Sequence, residues 1–447
     1  MNSMNYKTLF VSLAFINLLS FSQLKGQTSS KENNTTLTDS IELTQVIKEV
    51  IQNYPSIKEA EEAITSADDK IGLAKSGYYP DIDVTAGYTR LGPVSEMTLP
   101  GLGTFNLYPE NNYSTYLNYK QTIWDFGKTK QNVEFENKSK ELTNQSINLA
   151  KQRLTLVVIN NYYAILYLQK AIGIKQQQLA TLNEHLNFVR KRKETGSATE
   201  YELISTQVKI TNVESQKIDL KGMLKNQIAI LNNLLGQPSA NTHRAKDVPS
   251  PNYTVLINDS TLTIAMRNRD EMQMAQVRTE LAQIRLQTVK YQNNPVLSLA
   301  ISGGFKNGYI PDENKFQSNY VAGFGFRFPL FDGTRSKYNQ SLAKSAILTT
   351  NLEKDIIQRN ISNEVVESET NLSVASKKVK QFEMQLEQAN KALSLAEVSY
   401  KSGVITNLDL MDATTNVSES QLFLLKSKID YMICMYKFKM AIGERIY

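Results

Sequence analysis

The stretch Tyr400-Lys-Ser-Gly-Val-Ile-Thr-Asn-Leu-Asp-Leu410 opens a long helical pattern that continues to Gly443. From Leu410 onward, large residues recur every seven positions, with smaller residues between them. The large positions are Leu410, Val417, Leu424, Tyr431 and Phe438, and the smaller ones are Ala413, Ser420, Ser427, Cys434 and Ala441. A strict heptad pattern lets helices interlock and wind around one another. The stretch therefore predicts a turn followed by a coiled-coil helix that ends at Gly443.

The same stretch occurs earlier in the chain, as Thr195-Gly-Ser-Ala-Thr-Glu-Tyr-Glu-Leu203. At one constant offset, the paired positions are Gly196 and Gly403, Thr199 and Thr406, Glu202 and Asp409, and Gly236 and Gly443. Upstream, Trp124-Asp125 matches Phe331-Asp332 at that same offset. A repeat over this length indicates an internal duplication, so each half of the chain is expected to form one unit of the same fold.

Gly196 and Gly403 stand where each pair of antiparallel helices must reverse direction. A tight reversal often needs a residue with positive φ, which glycine adopts without steric cost. The hydroxyl of Thr199 or Thr406, together with the carboxylate three residues later, is suited to cap the helix that follows. These residues are therefore expected at two helix–turn–helix tips.

Between the helical segments, the hydrophobic period changes to two after Tyr79-Pro80 and again after Asn294-Pro295. Four alternating segments, near 82–88, 113–120, 297–305 and 320–328, carry mostly aromatic or aliphatic residues on one face. Such strands are typical of a transmembrane β-barrel, and a soluble β-sandwich is the alternative. Four strands cannot close a barrel, and lipid forbids open edges, so a homotrimer with twelve strands is predicted.

The remaining segments are long helical patterns. The segment from Trp124 to Gly196 is as long as that from Phe331 to Gly403, and a helix of this length would reach roughly 100 Å. Uncapped patterns this long indicate a coiled-coil rod. The predicted fold class is a mixed α and β membrane protein, with a long α-helical coiled-coil barrel, a transmembrane β-barrel completed by trimerisation, four strands per chain, and an internal duplication.

Composition argues against several other functions. The chain has 50 Lys and Arg against 44 Asp and Glu, and this net charge of +6 is spread out, so no nucleic-acid partner is predicted. Cys434, the single cysteine, occupies a small heptad position and is expected to serve packing. His185 and His243 lack Cys or carboxylate partners at ligand spacing and are expected on the solvated surface. No catalytic, cofactor-binding or metal-binding residues are predicted, so the chain is not expected to be an enzyme.

With these elements, the chain resembles the TolC family of outer-membrane efflux proteins over nearly all of its mature length. The likeness includes Asn53-Tyr-Pro55 in the opening helix, the strand entries at Tyr79-Pro80 and Asn294-Pro295, and the strand exits at Trp124-Asp-Phe-Gly127 and Phe331-Asp-Gly333. Most specific are the two tips and the following Leu408-Asp-Leu-Met-Asp-Ala-Thr-Thr415. The resemblance implies a trimer whose outer-membrane barrel is continuous with a periplasmic helical barrel.

The resemblance also implies that the tips close the periplasmic end and dock a periplasmic adaptor protein of an inner-membrane pump. The docking positions are then Gly196, Thr199, Glu202, Gly403, Thr406 and Asp409. The basic run from Arg190 to Lys193 is either a solvated helix face or part of this docking surface. In some family members an acidic residue about one turn before the tip lines the entrance, and here Ser394 occupies that place, with Glu397 as the alternative.

The predicted boundaries follow the repeats. Segment 1–22 has the short apolar core of a signal peptide, with cleavage as late as 26, and an extension at 23–40 follows. A membrane anchor is the alternative, but the apolar run is too short to span. Repeat 1 comprises periplasmic helices at 41–78, a transmembrane hairpin at 79–124 and a helical hairpin at 125–236. After a linker at 237–260, repeat 2 comprises 261–294, 295–331 and 332–443, with a tail at 444–447.

The expected function is the outer-membrane exit duct of a tripartite efflux system, in which a trimer surrounded by outer-membrane lipid exports small toxic compounds. One alternative is the outer component of a type I protein or peptide secretion system. An alternative of another class is a structural coiled-coil tether or adhesin without a conduit.

Overall fold

The computed structural model describes residues 39–447, apart from 102, 247–259, 310, 311 and 313. The predicted signal peptide at 1–22, most of the extension at 23–40 and the greater part of the linker at 237–260 lie outside the described residues. In chain order the elements are β1 (Asp39–Ile41), α1 (Leu43–Asn53), α2 (Pro55–Ser76), β2 (Asp81–Arg90), β3 (Glu96–Leu99), β4 (Gly103–Asn106), β5 (Asn111–Trp124), α3 (Lys128–Glu194), α4 (Glu200–Leu235), β6 (His243–Ala245), α5 (Thr261–Asn268), α6 (Asp270–Tyr291), β7 (Val296–Lys306), β8 (Gln317–Arg327), α7 (Arg335–Lys401) and α8 (Asn407–Ala441).

The two longest helices occupy equivalent places in the two repeats. α3 and α7 contain 67 residues each, a length of roughly 100 Å. A shorter helix returns from each: α4 has 36 residues and α8 has 35. The turns between them, 195–199 and 402–406, therefore lie far from the strands that precede α3 and α7.

α3 and α7 change partners along their length. Next to the strands, α3 packs between α2 and α6, and α7 packs against α6. Lys140 of α3 bonds Asp68 of α2 at 2.6 Å, and Lys138 of α3 bonds Glu280 of α6 at 2.7 Å. Toward the turns, α3 packs between α4 and α8, and α7 packs against α8. The row of helices is therefore α2–α3–α6–α7 in one half and α4–α3–α8–α7 in the other.

The largest hydrophobic core lies where the helices change partners. It takes side chains from α1, α3, α4, α7 and α8, including Val50, Val158, Tyr163, Leu231 and Val379. Full burial of side chains such as Val or Leu is worth about 1.5–3 kcal/mol each. Because this core contains α3 and α4 of one repeat and α7 and α8 of the other, it joins the two halves of the chain.

A short parallel strand pair, β1 with β6, lies against this core. The hydroxyl of Tyr162 is 2.9 Å from the carbonyl oxygens of both Ile41 and Lys246. The segment 237–260 is thus more than a linker, since it contains β6. His243 is half-buried there and hydrogen-bonds Gln237 at 3.0 Å. Its predicted place on the solvated surface is wrong, because strand pairing with distant residues cannot be read from so short a segment.

The four long strands form one antiparallel sheet in the order β2-β5-β7-β8. The register places Val84 opposite Leu117 and Leu299 opposite Phe324, so apolar residues of all four strands share one face. This face is uncovered in the single chain: Tyr320 is 83% exposed and Phe324 is 75% exposed. β2 and β8 are the edges of this sheet. Over the described ranges, no helix is both long enough and apolar enough to cross a membrane.

Candidate functional site at the helical tips

The chain reverses direction at the two tips in the same way. Gly196 has φ of 75° and Gly403 has φ of 77°, which confirms the expected positive φ. In the first tip the N–H of Ser197 donates to the carbonyl of Arg192 at 2.7 Å, and the second tip has the equivalent bond at 2.9 Å. This six-residue closure, with glycine in the left-handed conformation, is a Schellman motif.

The helices that leave the tips are capped as expected, but not identically. Thr199 and Thr406 are the N-cap residues of α4 and α8. The N–H of Glu202 donates to Thr199 Oγ1 at 3.2 Å, and the N–H of Asp409 donates to Thr406 Oγ1 at 3.3 Å. Only the second tip completes a capping box, because Asp409 Oδ2 accepts from the N–H of Thr406 at 2.9 Å. The hydroxyl of Thr406 also donates to Asp409 Oδ2, at 2.7 Å, and this bond, followed by the one from the Thr406 N–H, lowers the pKa of Asp409.

The two tips are joined by hydrogen bonds between the repeats. Tyr400 Oη, at the end of α7, donates to Glu202 Oε2 of α4 at 3.1 Å. His185 Nε2 of α3 donates to Asn407 Oδ1 of α8 at 2.5 Å. Asn407 Nδ2 in turn donates to Thr206 Oγ1 of α4 at 3.2 Å. Asn407 and Tyr400 are 5% and 4% exposed, so these two side chains are shielded from water, whereas Glu202 and His185 are half-buried. We call these five residues the tip lock.

Aromatic rings and one cation surround the tip lock. The ring centroid of Tyr400 is 5.4 Å from that of His185 and 6.3 Å from that of Phe188. The guanidinium carbon of Arg192 lies 5.3 Å from the Tyr400 centroid and 5.9 Å from the Phe188 centroid, within cation–π range. Burial, and then the negative charge of Glu202, raise the pKa of the Tyr400 hydroxyl. Tyr400 therefore remains a neutral hydrogen-bond donor in the ordinary pH range.

The residues predicted to line the entrance or dock a partner have different surroundings. Arg190 is exposed and bonds only Asn187 of its own helix, at 3.2 Å, among the contacts described. Lys193 forms an ion pair with Glu200 across the first tip. Ser394 is exposed on α7. Glu397 lines a cavity of about 290 Å³ that His185, Phe188 and Tyr400 also line.

Sequence reasoning missed most of the tip lock. His185 was expected on the solvated surface, and this is wrong, because Asn407 and the ring of Tyr400 partly cover it. Tyr400 and Asn407 belong to the stretch that opens the second tip, but the sequence predicts no contact with the other repeat for either residue. One signal was available: His185, Phe188 and Arg192 follow one another at three- and four-residue spacing, which puts them on one face of α3.

The described residues offer no metal site, since no group of three or more His, Cys, Asp or Glu side chains among them could hold an ion. Cys434 is half-buried on α8 beside the central core. Burial raises the pKa of its thiol, which disfavours the reactive thiolate. This agrees with the expected packing role of Cys434.

The chain is similar to known proteins over most of its length. It is 21% identical to the outer membrane protein TolC of Salmonella enteritidis over 430 residues, which cover 92% of this chain and 83% of that protein. It is 22% identical to the alkaline protease secretion protein AprF of Pseudomonas aeruginosa over 319 residues, covering 68% and 64%. Among solved structures, CusC superimposes with a TM-score of 0.77 at 18% identity, covering 90% of this chain and 92% of that one.

A family model described as outer membrane efflux protein matches residues 46–237 and 261–433. The two matched stretches correspond to the two repeats, and the gap between them falls in the segment that joins them. The outer membrane protein VceC of Vibrio cholerae has the same fold, with a TM-score of 0.74 at 18% identity over 91% of this chain and 97% of that one. The resemblance seen in the sequence is thus confirmed, and the chain belongs to the outer membrane efflux protein family.

Proposed function

We propose that this chain is the outer-membrane exit duct of a tripartite efflux system. In this proposal, the hairpins at 79–124 and 295–331 lie in outer-membrane lipid and the helical segments lie in the periplasm. A periplasmic adaptor protein and an inner-membrane pump supply the cargo and the energy. The family assignment and its named outer-membrane relatives support this placement.

The observation that carries the proposal is the unfinished sheet. It has an uncovered apolar face and two edge strands, β2 and β8, within the described residues. An apolar face of this kind is stable in lipid, whereas unpaired edges are not. Three copies joined edge to edge would form twelve strands with no free edge, which satisfies both conditions.

The helices support the same assembly. In the tip half, α4 and α7 are the ends of the row α4–α3–α8–α7. Both carry exposed large apolar residues, including Ile204 and Ile218 on α4 and Leu395 and Val398 on α7. In a homotrimer, α4 of one subunit would cover α7 of the next. The helices would then enclose a tube that continues from the barrel.

The tip lock supplies a gate at the far end of this tube. Its bonds hold the α3–α4 hairpin of one repeat against the α7–α8 hairpin of the other. Widening the tube at the tips requires these hairpins to separate, which breaks the bonds of Tyr400 and Asn407. In the proposed function, docking of the adaptor provides the free energy for this separation.

A second candidate function is protein or peptide secretion by a type I system. The specific observation in its favour is the similarity to AprF, whose name identifies it with alkaline protease secretion. The architecture proposed here serves either cargo. Deleting the gene and comparing the secreted proteins with the accumulation of small toxic compounds distinguishes the two candidates.

The central experiment is conductance. We expect the purified protein, reconstituted in a lipid bilayer, to form a channel, and its detergent-corrected mass in solution to be that of a trimer. A stable monomer would contradict the proposed trimeric β-barrel. A trimer without conductance, even in a variant with the tip lock broken, would favour the tether or adhesin.

Docking at the tips is tested with Gly403→Asp and Gly196→Asp. Each adds bulk and charge at an exposed turn where a new Cβ meets no other atom within 4 Å. We expect these variants to insert and trimerise but to lose adaptor crosslinking and export. Normal export by intact trimers of both variants would exclude the tips as the docking site.

A further inference from the structure

The last turns of α3 and α7 occupy equivalent places in the two repeats but differ in charge. α3 ends with Arg190-Lys-Arg-Lys-Glu194, and the corresponding positions of α7 are Glu397-Val-Ser-Tyr-Lys401, so four cations and one carboxylate correspond to one of each. At the first position of this turn, a cation in one repeat replaces a carboxylate in the other. In a ring of tips built from both repeats, the charge of this helix turn would therefore alternate from one hairpin to the next.

Two of the four cations make contacts within the chain. Arg192 lies over the rings of Phe188 and Tyr400, and it donates to the carbonyl of Ser197 at 2.8 Å. Lys193 pairs with Glu200. The other two are exposed: Arg190 contacts only Asn187, and Lys191 contacts no acidic group among the described residues. Arg190 and Lys191 thus present positive charge to the surroundings.

Stabilisation of the helix end does not account for these two cations. Basic residues near a helix C-terminus do favour the helix, because they offset its dipole. However, α7 has the same length and the same closing turn, and its last turn contains only one basic residue, Lys401. The second repeat thus serves as an internal control in which the extra cations are dispensable for folding.

The second tip presents apolar surface at the corresponding places. Val404, in the turn beyond α7, replaces Ser197 and is exposed, and the exposed Leu408 follows at the start of α8. Neither side chain offers a partner a charge to pair with. The two tips of one chain therefore favour two different surfaces on whatever protein docks there.

We infer that the partner that docks on the tips contacts the α3–α4 tip through aspartate and glutamate side chains, and the α7–α8 tip through apolar side chains. This inference rests on the proposed function, because it assigns the chemistry of the proposed docking site. Charge pairs at the first tip set orientation and association rate, so binding there depends on salt. Contacts at the second tip exclude water and are insensitive to salt.

The test uses the full-length protein in lipid nanodiscs and poly-glutamate as a defined carboxylate probe. The test variant is Arg190→Glu combined with Lys191→Glu. The matched control is Lys58→Glu combined with Lys70→Glu, which makes the same charge change on the exposed side of α2. We expect the test variant to bind poly-glutamate about tenfold or more weakly and to lose salt dependence, and the control to bind as the native protein does.

The second arm of the test is made in cells. A photo-crosslinking residue at Ser197 identifies the partner, and charge reversal at positions 190 and 191 should abolish the crosslink. Suppressor mutations that restore it should change acidic residues of the partner to basic ones. If Arg190→Glu with Lys191→Glu unfolds the protein, the neutral pair Arg190→Gln with Lys191→Gln replaces it, with a smaller loss expected.

Three results would overturn the inference: unchanged crosslinking after charge reversal, suppressors that are all apolar, or binding to phosphatidylglycerol vesicles in place of poly-glutamate and the partner. Each is distinct from failure of the proposed function. If the proposed function fails, even a variant with the tip lock broken does not conduct, or the crosslinker at Ser197 captures no partner.

Discussion

Thr199 and Glu202 at the first tip have the same spacing as Thr406 and Asp409 at the second, yet the two carboxylates have different partners. Asp409 turns back to the N–H of its own cap residue, and Glu202 reaches the hydroxyl of Tyr400 in the other repeat. Glutamate is fully able to form a capping box, so the length of its side chain is not the reason. The reason is that Tyr400 offers Glu202 a shielded donor.

The difference shows how a duplicated chain acquires a contact between its two copies. Each tip retains the local elements that its turn needs, namely a glycine with positive φ and a threonine cap. The positions around them then diverge: Asn407, which corresponds to Glu200, is buried in the tip lock, whereas Glu200 stays at the surface. Equivalent positions in the repeats therefore make natural pairs for experiments.

The largest difference is expected between Gly443→Ala and Gly236→Ala, at the ends of α8 and α4. Both glycines have positive φ, 79° and 69°, so either change costs about 1–2 kcal/mol of stability. At Gly443 a new Cβ would also lie 2.7 Å from the carbonyl carbon of Asn268, whereas nothing lies within 4 Å at Gly236. Overpacking of this kind adds about 1–3 kcal/mol. Thermal unfolding in detergent measures the loss of stability in both variants. Equal losses in Gly443→Ala and Gly236→Ala would contradict the expected difference.

The next effect is expected for Asn407→Ala, compared with Glu200→Ala. Removing the Asn407 amide leaves the half-buried His185 without this partner, which costs about 1–3 kcal/mol, whereas Thr206 keeps its 2.8 Å hydrogen bond to the carbonyl of Glu202. Glu200→Ala removes only a surface ion pair, worth about 0–1 kcal/mol. We expect the first variant to be clearly less stable and to conduct more. Similar unfolding temperatures for the two variants would show that the hydrogen bonds of Asn407 do not stabilise the contact between the two hairpins.

A smaller effect is expected for Tyr400→Phe, with Tyr201→Phe as the control. The hydroxyl of Tyr400 donates to a carboxylate, and a hydrogen bond to a charged group contributes about 1.5–3 kcal/mol. Because Glu202 also faces an open cavity and can regain water, we expect the lower limit. Tyr201 is exposed, and its variant should behave as the native protein does. We expect single-channel recordings of Tyr400→Phe to show a more frequently open channel. Unchanged gating of this variant would show that the bond from Tyr400 to Glu202 is not part of the gate.

The sequence predicts what is local and periodic. The heptads of α8, the turns at Gly196 and Gly403 and the threonine caps all follow from spacing along the chain. The tip lock does not, because it joins residues such as His185 and Asn407 that are far apart in sequence. Strand β6 was missed for the same reason: three residues carry no period, and their partner is β1. Sequence periodicity identifies which face of an element is buried, but not which polar group it meets.

The smallest expected effect is a loss of stability at the second tip, at the start of α8, in acid. The hydrogen bonds from Thr406 hold the pKa of Asp409 below its usual value, so its pKa is lower in the folded protein than in the unfolded chain. The stabilisation by this bond is therefore fully present above the unfolded-state pKa and is lost as the pH falls through the folded-state pKa. Hydrogen exchange at the first amides of α8 should quicken, relative to an unstructured peptide, in that acidic range.

Thr406→Ala and Thr199→Ala complete this last comparison. At neutral pH each loses its N-cap, at about 1 kcal/mol, and Thr406→Ala also loses the side-chain bond to Asp409, so it should be the more damaging change. In acid, native Asp409 is protonated and contributes less, so the two losses should converge. If the gap between the two variants keeps its neutral-pH size in acid, the capping box is not the source of the difference. The two tips would then differ through the buried contacts of Asn407, which carry no titrating carboxylate.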